Sequence, residues 1–468
     1  MNSTPPGWRH VLLGDVLERV EAGRSFAGEP RPAAGDEWGI IKVSAMTYGA
    51  FRERENKAVP DGVQFSKDAE IRPGDLLISR ANTREYVGAS VLVGECRPRL
   101  LLSDKSLRLH PRDLVDRRWL WHALNAPRTR RYLSEVSTGV KSGMRNVSQA
   151  SLKSVPLSLP PPDEQRRIVE LLEDHLSRLD AASTYLAACE RRADSLHQAV
   201  LQTAMRGQLT TRSVDSHTRS SQLALRSALC PEGMKRGRPQ PVRAVPGEDD
   251  WPLHWVRVSL EEATHPVRTI SYGILKPGPN VEAGIPYVRV VNIRDDVLAL
   301  DDLHRTTQEI AAQYDRSTLM PGDVLVSIRG TCGRVVIVPA ALRGGNITQD
   351  TARLAFVGPV DPEFATVYLR SPWAQNFLKR VARGVAVKGV NIGDIRTMPF
   401  PIPPMTEQRA IIQRVAELTS EVAGARRTAR SAVVRSSALR RALLEAAFAG
   451  KLTGRASELD RVEEMAGV

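Results

Sequence analysis

The chain repeats itself at a fixed spacing. Pro160-Pro161, Glu164-Gln165-Arg166 and Ile168 recur as Pro403-Pro404, Glu407-Gln408-Arg409 and Ile411. The same offset of 243 residues carries Gly207, Leu209 and Thr210 onto Gly450, Leu452 and Thr453. A repeat of this kind constrains the fold before any element is assigned, because both copies must adopt one architecture. No insertion separates the landmarks, so segments of equal length follow the two proline pairs. Upstream the match continues with small slips. Trp8 pairs with Trp255, Ile40-Ile41-Lys42-Val43 with Tyr287-Val288-Arg289-Val290, and Pro73-Gly74-Asp75-Leu76-Leu77 with Pro321-Gly322-Asp323-Val324-Leu325. Loops that vary and strands that do not produce such slips. Each half is a globular unit followed by a long segment.

The long segments read as helices. Ile168, Leu172, His175, Leu179, Ala182, Leu186, Cys189, Ala193, Leu196 and Val200 alternate in steps of four and three, the heptad spacing of a coiled-coil seam. The matching positions are Ile411, Val415, Leu418, Val422, Ala425, Ala429, Ala432, Ser436, Leu439 and Leu443. Proline-rich LPPP and PIPP set the starts, Gly207 and Gly450 the stops. A helix of ~42 residues spans ~63 Å at 1.5 Å per residue, too long to fold inside one small domain. Equal lengths and matched seams suit an antiparallel pair within one chain; packing of each helix on its own unit, or in a homodimer, stays open.

In the globular halves IIKVS, DLLISR and ASVLVG, then YVRVVNI, DVLVSIRG and RVVIVP, read as strands, and RRWLWHALNAPRTRRYLSEV and PEFATVYLRSPWAQNFLKRV as helical stretches. The fold class is α+β, with two mixed α/β units in tandem. Three groups of polar residues recur in both halves. Arg80, Asn82, Thr83 and Arg84 follow DLLIS, as Arg329, Thr331 and Arg334 follow DVLVSI. Lys141, Ser142, Arg145 and Asn146 precede the first long helix, as Lys388 and Asn391 precede the second. Lys42 and Arg289 lie on matched strands. Arginine and asparagine have the donor geometry to read guanine and adenine edges, and glycines beside them let backbone approach phosphates. Ordinary turn residues with solvated charges are the other reading.

The excess of 66 Lys plus Arg over 53 Asp plus Glu, a formal charge of +13, favours a polyanionic partner. The stretch from 213 to 249, with TRSSQLALRS and MKRGRPQPVR, reads as a linker, either a solvated tether or an arm that grips DNA. Cys96, Cys189, Cys230 and Cys332 are dispersed, with no histidine at metal-ligand spacing, so no metal site is expected. No apolar run approaches the ~20 residues of a membrane span, and MNSTPPGWRH lacks the features of a signal peptide; a cytoplasmic location is expected. Catalytic motifs are missing. Gly450-Lys451 has Glu445 where a phosphate-binding loop needs glycine, and the proline pairs are followed by Pro162 and Met405 rather than an aromatic residue. An acidic-x-Lys set of Asp36, Glu55 and Lys57 has no counterpart in the second half. An enzyme would need a cofactor or metal motif, a scaffold would leave two basic units idle, and a transcriptional regulator would need no methyltransferase.

Strands with PGDxLxS, a glycine-bearing loop, LPPPDEQRRIVELL and a heptad helix, all present twice, resemble Type I restriction-modification specificity subunits of the HsdS-like kind. The likeness covers the whole chain outside the linker, and the PPxxEQRxI exit at 160–168 and 403–411 is its most specific element. It implies target-recognition domains at 5–157 and 250–400, conserved helical regions at 158–212 and 401–455, and a tail at 456–468. It further implies that the helices form an antiparallel coiled coil with pseudo-twofold symmetry, their pairing residues being Ile168, Leu172, Leu179, Leu186, Leu196, Val200, Ile411, Val415, Leu418, Val422, Leu439 and Leu443. Such a chain does no chemistry and binds no cofactor. It reads a bipartite target in double-stranded DNA and binds two modification subunits, which methylate adenine with S-adenosylmethionine. In the restriction form it also binds two motor-nuclease subunits that use ATP and Mg.

Overall fold

A computed structural model describes residues 5–25, 28–47, 49–139, 143–210, 219–229, 250–294, 297–384 and 388–453. The chain divides into two compact units, one formed by Met1–Ala188 with Ala429–Val468 and the other by Cys189–Thr428.

In the first unit an antiparallel four-stranded sheet runs in the order Leu17–Ala22, Ser106–Pro111, Leu76–Ser79, Ser90–Leu92. Beside it Gly39–Ile41 pairs antiparallel with Asn56–Ala58 and parallel with Leu100–Leu101. The strand Arg9–Leu12 closes the domain against Pro156–Leu159, with Arg9 opposite Leu159. The second unit repeats the plan. Its four-stranded sheet runs Ser271–Tyr272, Thr351–Leu354, Val324–Ser327, Val335–Ile337, its three-stranded sheet places Ile285–Val288 between His304–Thr306 and Asn346–Ile347, and Val256–Ser259 closes against Pro399–Ile402.

The PGD motif has a local cause in both copies. Gly74 and Gly322 each adopt φ +87°, a left-handed conformation that a side chain resists. The following aspartates accept from the backbone three residues back, Asp75 from Arg72 N at 2.9 Å and Asp323 from Met320 N at 2.8 Å, which tightens the turn into the buried central strand. The two helical stretches are each broken in two. Arg117–Asn125 is followed by Pro127–Val136, and Pro362–Arg370 by Pro372–Val381. The proline that opens each second helix bars Ala126 and Ser371 from helical backbone.

The long helices are Pro162–Met205 and Met405–Phe448, both of 44 residues, or about 66 Å. Each is the C-terminal helix of an α/β domain. In the first unit Ile168, Val169 and Leu172, from the start of the first helix, share a core with Trp119, Leu157, Leu443, Ala446, Ala447 and Leu452. Trp119 and Phe448 meet edge to face, with centroids 6.0 Å apart. Asp180 pairs with Arg440 and Ser183 with Ser436, so rising positions on one helix meet falling positions on the other. In the second unit Val200, Leu201, Ala204 and Met205 share a core with Ile411, Val415, Trp255 and Phe400, and Asp194 pairs with Arg426 at 3.2 Å. Nine of the ten seam positions on the second helix are at least half-buried. On the first, Leu196 is 52% exposed and Ala182 is exposed, while Ser183 and His197 turn inward. The seam still ends in the core, since Val200 is buried.

Within the stretch expected to be a linker, Arg219–Ala228 is a helix docked on the second unit. Gln222 donates to the Leu253 carbonyl at 3.1 Å, Arg226 to that of Arg257 at 3.2 Å, and Leu229 is buried. Cys230, MKRGRPQPVR and the tail at 456–468 lie outside the described residues. Among the described residues no helix is long and apolar enough to cross a membrane, and no cluster of His, Cys, Asp or Glu could hold a metal ion.

Candidate nucleic-acid interface

At the end of the buried strand Leu76–Ser79 the backbone N–H of Arg80 donates to the Lys105 carbonyl at 2.8 Å. The next two residues, Ala81–Asn82, form one edge of a small ribbon whose middle strand is Arg145–Asn146 and whose far strand is Thr138–Gly139. Two groups found separately in the sequence therefore meet. Arg80 Nε donates to Asn146 Oδ1 at 3.2 Å, and Val147 N to the Arg80 carbonyl at 2.9 Å. Thr83 and Arg84 are exposed at the tip. Asn82 instead is buried, and its Oδ1 accepts from Thr83 N at 2.8 Å, shaping the turn. Arg145 is tied to Ser137 through both its hydroxyl and its carbonyl. Lys42, at the end of Gly39–Ile41, is half-buried and opens a short turn, Val43–Met46. Lys141 and Ser142 lie outside the described residues. The helix Pro127–Val136 braces the loop from behind. Arg130 donates to the carbonyls of Val87 at 2.8 Å and Glu85 at 2.9 Å, and burial pushes its pKa down to about 10.

The second unit builds the same junction. After Val324–Ser327, Ile328 N donates to the Asp350 carbonyl at 2.8 Å, Arg329 bridges Gly389, and Gly389 bridges Arg383. Gly330 N donates to the Lys388 carbonyl at 3.1 Å, again joining the strand-end loop to the segment before the long helix. Gly333 adopts φ +92°, a left-handed conformation that a side chain resists. Arg329, Thr331, Lys388 and Asn391 are exposed. Arg334 turns inward, donating to the carbonyls of Val290 at 3.1 Å and Ile293 at 2.5 Å. Arg289 is half-buried and reaches the Asp302 carbonyl at 3.2 Å. Exposed side chains on this edge can meet a ligand; Asn82, Arg145, Arg334 and Arg289 hold the loops in shape.

Sequence reasoning missed two features. The turn before the last strand of each four-stranded sheet, with Lys105 in one unit and Gln349-Asp350 in the other, belongs to the loop cluster, and nothing in its composition marks it. The second is the work of the repeated EQR. Gln165 and Gln408 are fully buried clamps. Gln165 Nε2 donates to the carbonyls of Leu114 at 3.2 Å and Pro160 at 2.9 Å while its Oε1 accepts from Asp116 N at 2.8 Å. Gln408 does the same with Pro359, Pro403 and Asp361, each at 2.9 Å. Asp116 and Asp361 cap Arg117–Asn125 and Pro362–Arg370, so one amide locks a domain helix to the proline exit of the long helix. Glu407 accepts from His254 at 2.9 Å and from Trp255 Nε1 at 3.1 Å, and Glu164 from Thr453 at 2.9 Å. The duplicated motif itself was the available signal.

A sequence profile described as Type I restriction modification DNA specificity domain matches residues 5–187 and 269–427, well over half of the chain. The chain belongs to that family. It is a specificity subunit of the Type I restriction-modification kind, a non-catalytic chain whose family role is sequence-specific DNA binding. The subunit is 28% identical over 445 residues to the Type I restriction enzyme EcoBI specificity subunit of Escherichia coli, covering 89% of this chain and 87% of that one. To the EcoKI specificity subunit of Escherichia coli strain K12 it is 22% identical over 436 residues, covering 88% and 82%. A solved chain described under "Structural basis underlying complex assembly and conformational transition of the type I R-M system" superimposes with a TM-score of 0.64 at 20% identity, covering 96% of this subunit and 99% of that chain, a likeness of fold.

Proposed function

We propose that each half of the specificity subunit reads one part of a split target in duplex DNA, with recognition domains at 5–157 and 250–400. The loop cluster carries this reading. In each unit the strand-end loop and the segment before the long helix are joined at one domain edge, and exposed arginine, threonine, lysine or asparagine side chains gather there. Thr83, Arg84, Asn146, Arg329, Thr331, Lys388 and Asn391 are the contacts proposed, together with Arg80, Lys42, Lys141 and Ser142. Asn82, Arg145, Arg289 and Arg334 act by holding the loops.

The long helices pair as an antiparallel coiled coil with pseudo-twofold symmetry and act as the ruler between half-sites. Their equal 44-residue lengths support this, as do the contacts Asp180–Arg440, Ser183–Ser436 and Asp194–Arg426. Two modification subunits carrying S-adenosylmethionine methylate adenine at the chosen site, with the base turned out of the duplex. In the restriction form two ATP-driven subunits join them. The test is a genome-wide map of modified adenine in cells expressing the modification subunit, with and without this chain. Loss of methylation at one motif of two short half-sites with a fixed gap is expected. A map unchanged by the deletion would refute the assignment.

A further inference from the structure

Each loop cluster holds one arginine against one side-chain amide. Arg80 Nε donates to Asn146 Oδ1 at 3.2 Å, and Arg329 Nη1 donates to Gln349 Oε1 at 3.1 Å. The pairs are not copies of each other. The PGD register places Arg80 opposite Ile328, one residue before Arg329. Asn146 comes from the segment before the long helix, whereas Gln349 comes from the turn leading into Thr351–Leu354. The same device has been assembled from different parts, and both times at the edge where the exposed polar residues gather.

A guanidinium at the end of a flexible stem is an indiscriminate donor until its plane is fixed, and an amide oxygen fixes it before any ligand arrives. A fixed fork presents two parallel N–H groups, the pattern that matches guanine O6 and N7 in the major groove. Reading adenine would ask the amide to present oxygen to N6–H and nitrogen to N7 together, and here the oxygen is turned to the arginine. We propose that Arg80 and Arg329 each read one guanine edge, one in each half-site, and that Asn146 and Gln349 are the positioning residues that orient them. The proposal rests on the split-target reading above.

The test uses the full chain co-expressed with its modification subunit and duplex DNA libraries randomised across a split target. Wild type is expected to select a motif with a guanine in each half. Arg329→Ala should lose one guanine in one half-site, with affinity for the wild-type target falling roughly tenfold to a hundredfold. Gln349→Ala should relax the same base position. Gln349→Glu keeps an acceptor oxygen for the guanidinium and should restore the base choice, at weaker affinity because the acid repels phosphates. Arg80→Ala, Asn146→Ala and Asn146→Asp should behave alike in the other half. Unchanged thermal midpoints show that the variants fold. Uniform weakening for all four bases in the amide variants would overturn the proposal, as would relaxation at different positions in Arg329→Ala and Gln349→Ala, or at a base other than guanine. A wild type that selects no split motif would instead overturn the split-target reading itself.

Discussion

Replacing Gln408 tests whether the repeated EQR is a clamp. Its side chain is fully buried, and truncation to alanine leaves the Asp361 N–H and the carbonyls of Pro359 and Pro403 without their partner. Each buried group left unsatisfied costs about 1–3 kcal/mol. Water entering the vacated space offsets part of this, so Gln408→Ala should cost roughly 3–4 kcal/mol. Gln408→Leu fills the space, excludes the water and should cost more. At about 2–4 °C per kcal/mol for a unit of this size, the midpoint of the second unit falls by roughly 6–16 °C in the alanine variant. Gln408→Glu adds a signature. A carboxylate there would face two carbonyl oxygens, so its pKa in the folded state lies above the ordinary ~4.3. Stability is then retained below that ordinary value and lost as pH rises through the folded one. Scanning calorimetry of the full chain at pH 4.5 and pH 7.5 reads both effects. A Gln408→Leu protein as stable as wild type, or a Gln408→Glu variant indifferent to pH, would refute the clamp.

Arg334→Ala should lower the melting temperature by removing two bonds to the Val290–Ile293 turn, whereas Arg329→Ala should leave it unchanged; equal stability losses would show that the inward and outward assignments are mistaken. Leu443→Asp places a charge in a core shared with Ile168 and Trp119 and should cost several kcal/mol, read as a lost or lowered unfolding transition, while Val434→Asp on the exposed face should not. Burial, with Arg118 beside it and against the pull of Asp116, lowers the His122 pKa from 6.5 to about 4, and Glu173 lies 3.8 Å away. The unfolded chain binds that proton first, so stability is full above pH 6.5 and falls as pH drops toward 4, by about 2 kcal/mol at pH 5. His122→Phe should remove that share of the acid sensitivity, and equal acid slopes for both proteins in urea titrations would contradict it.

Periodicity over long runs made the two helices legible, because many positions vote on one phase. The offset of 243 residues carried Pro162 onto Met405 and Met205 onto Phe448 without error. The PGD turns were legible for a similar reason, since glycine and aspartate act on their own backbone. Ala126-Pro127 and Ser371-Pro372 also announced a break, but the apolar pattern on either side masked it. What stayed hidden depends on distant partners. That Arg80 reaches Asn146, or that Arg334 folds back on Ile293, is set by strand pairing across tens of residues. Asn82 and Thr83 look alike to a composition argument, yet one is buried in the short strand Ala81–Asn82 and the other is exposed in the loop that follows it.

The first unit is interrupted by the whole of the second in sequence, since Met1–Ala188 is completed only by Ala429–Val468. Its core needs Leu443, Ala446, Ala447 and Phe448 to cover Trp119. During synthesis at ~5–20 residues per second, that surface waits roughly 10–50 s while Cys189–Thr428 is made. The contiguous second unit has no such delay. The half that emerges first is therefore the last to close, and a chain that stops within the final helix leaves its earliest domain with an open apolar face.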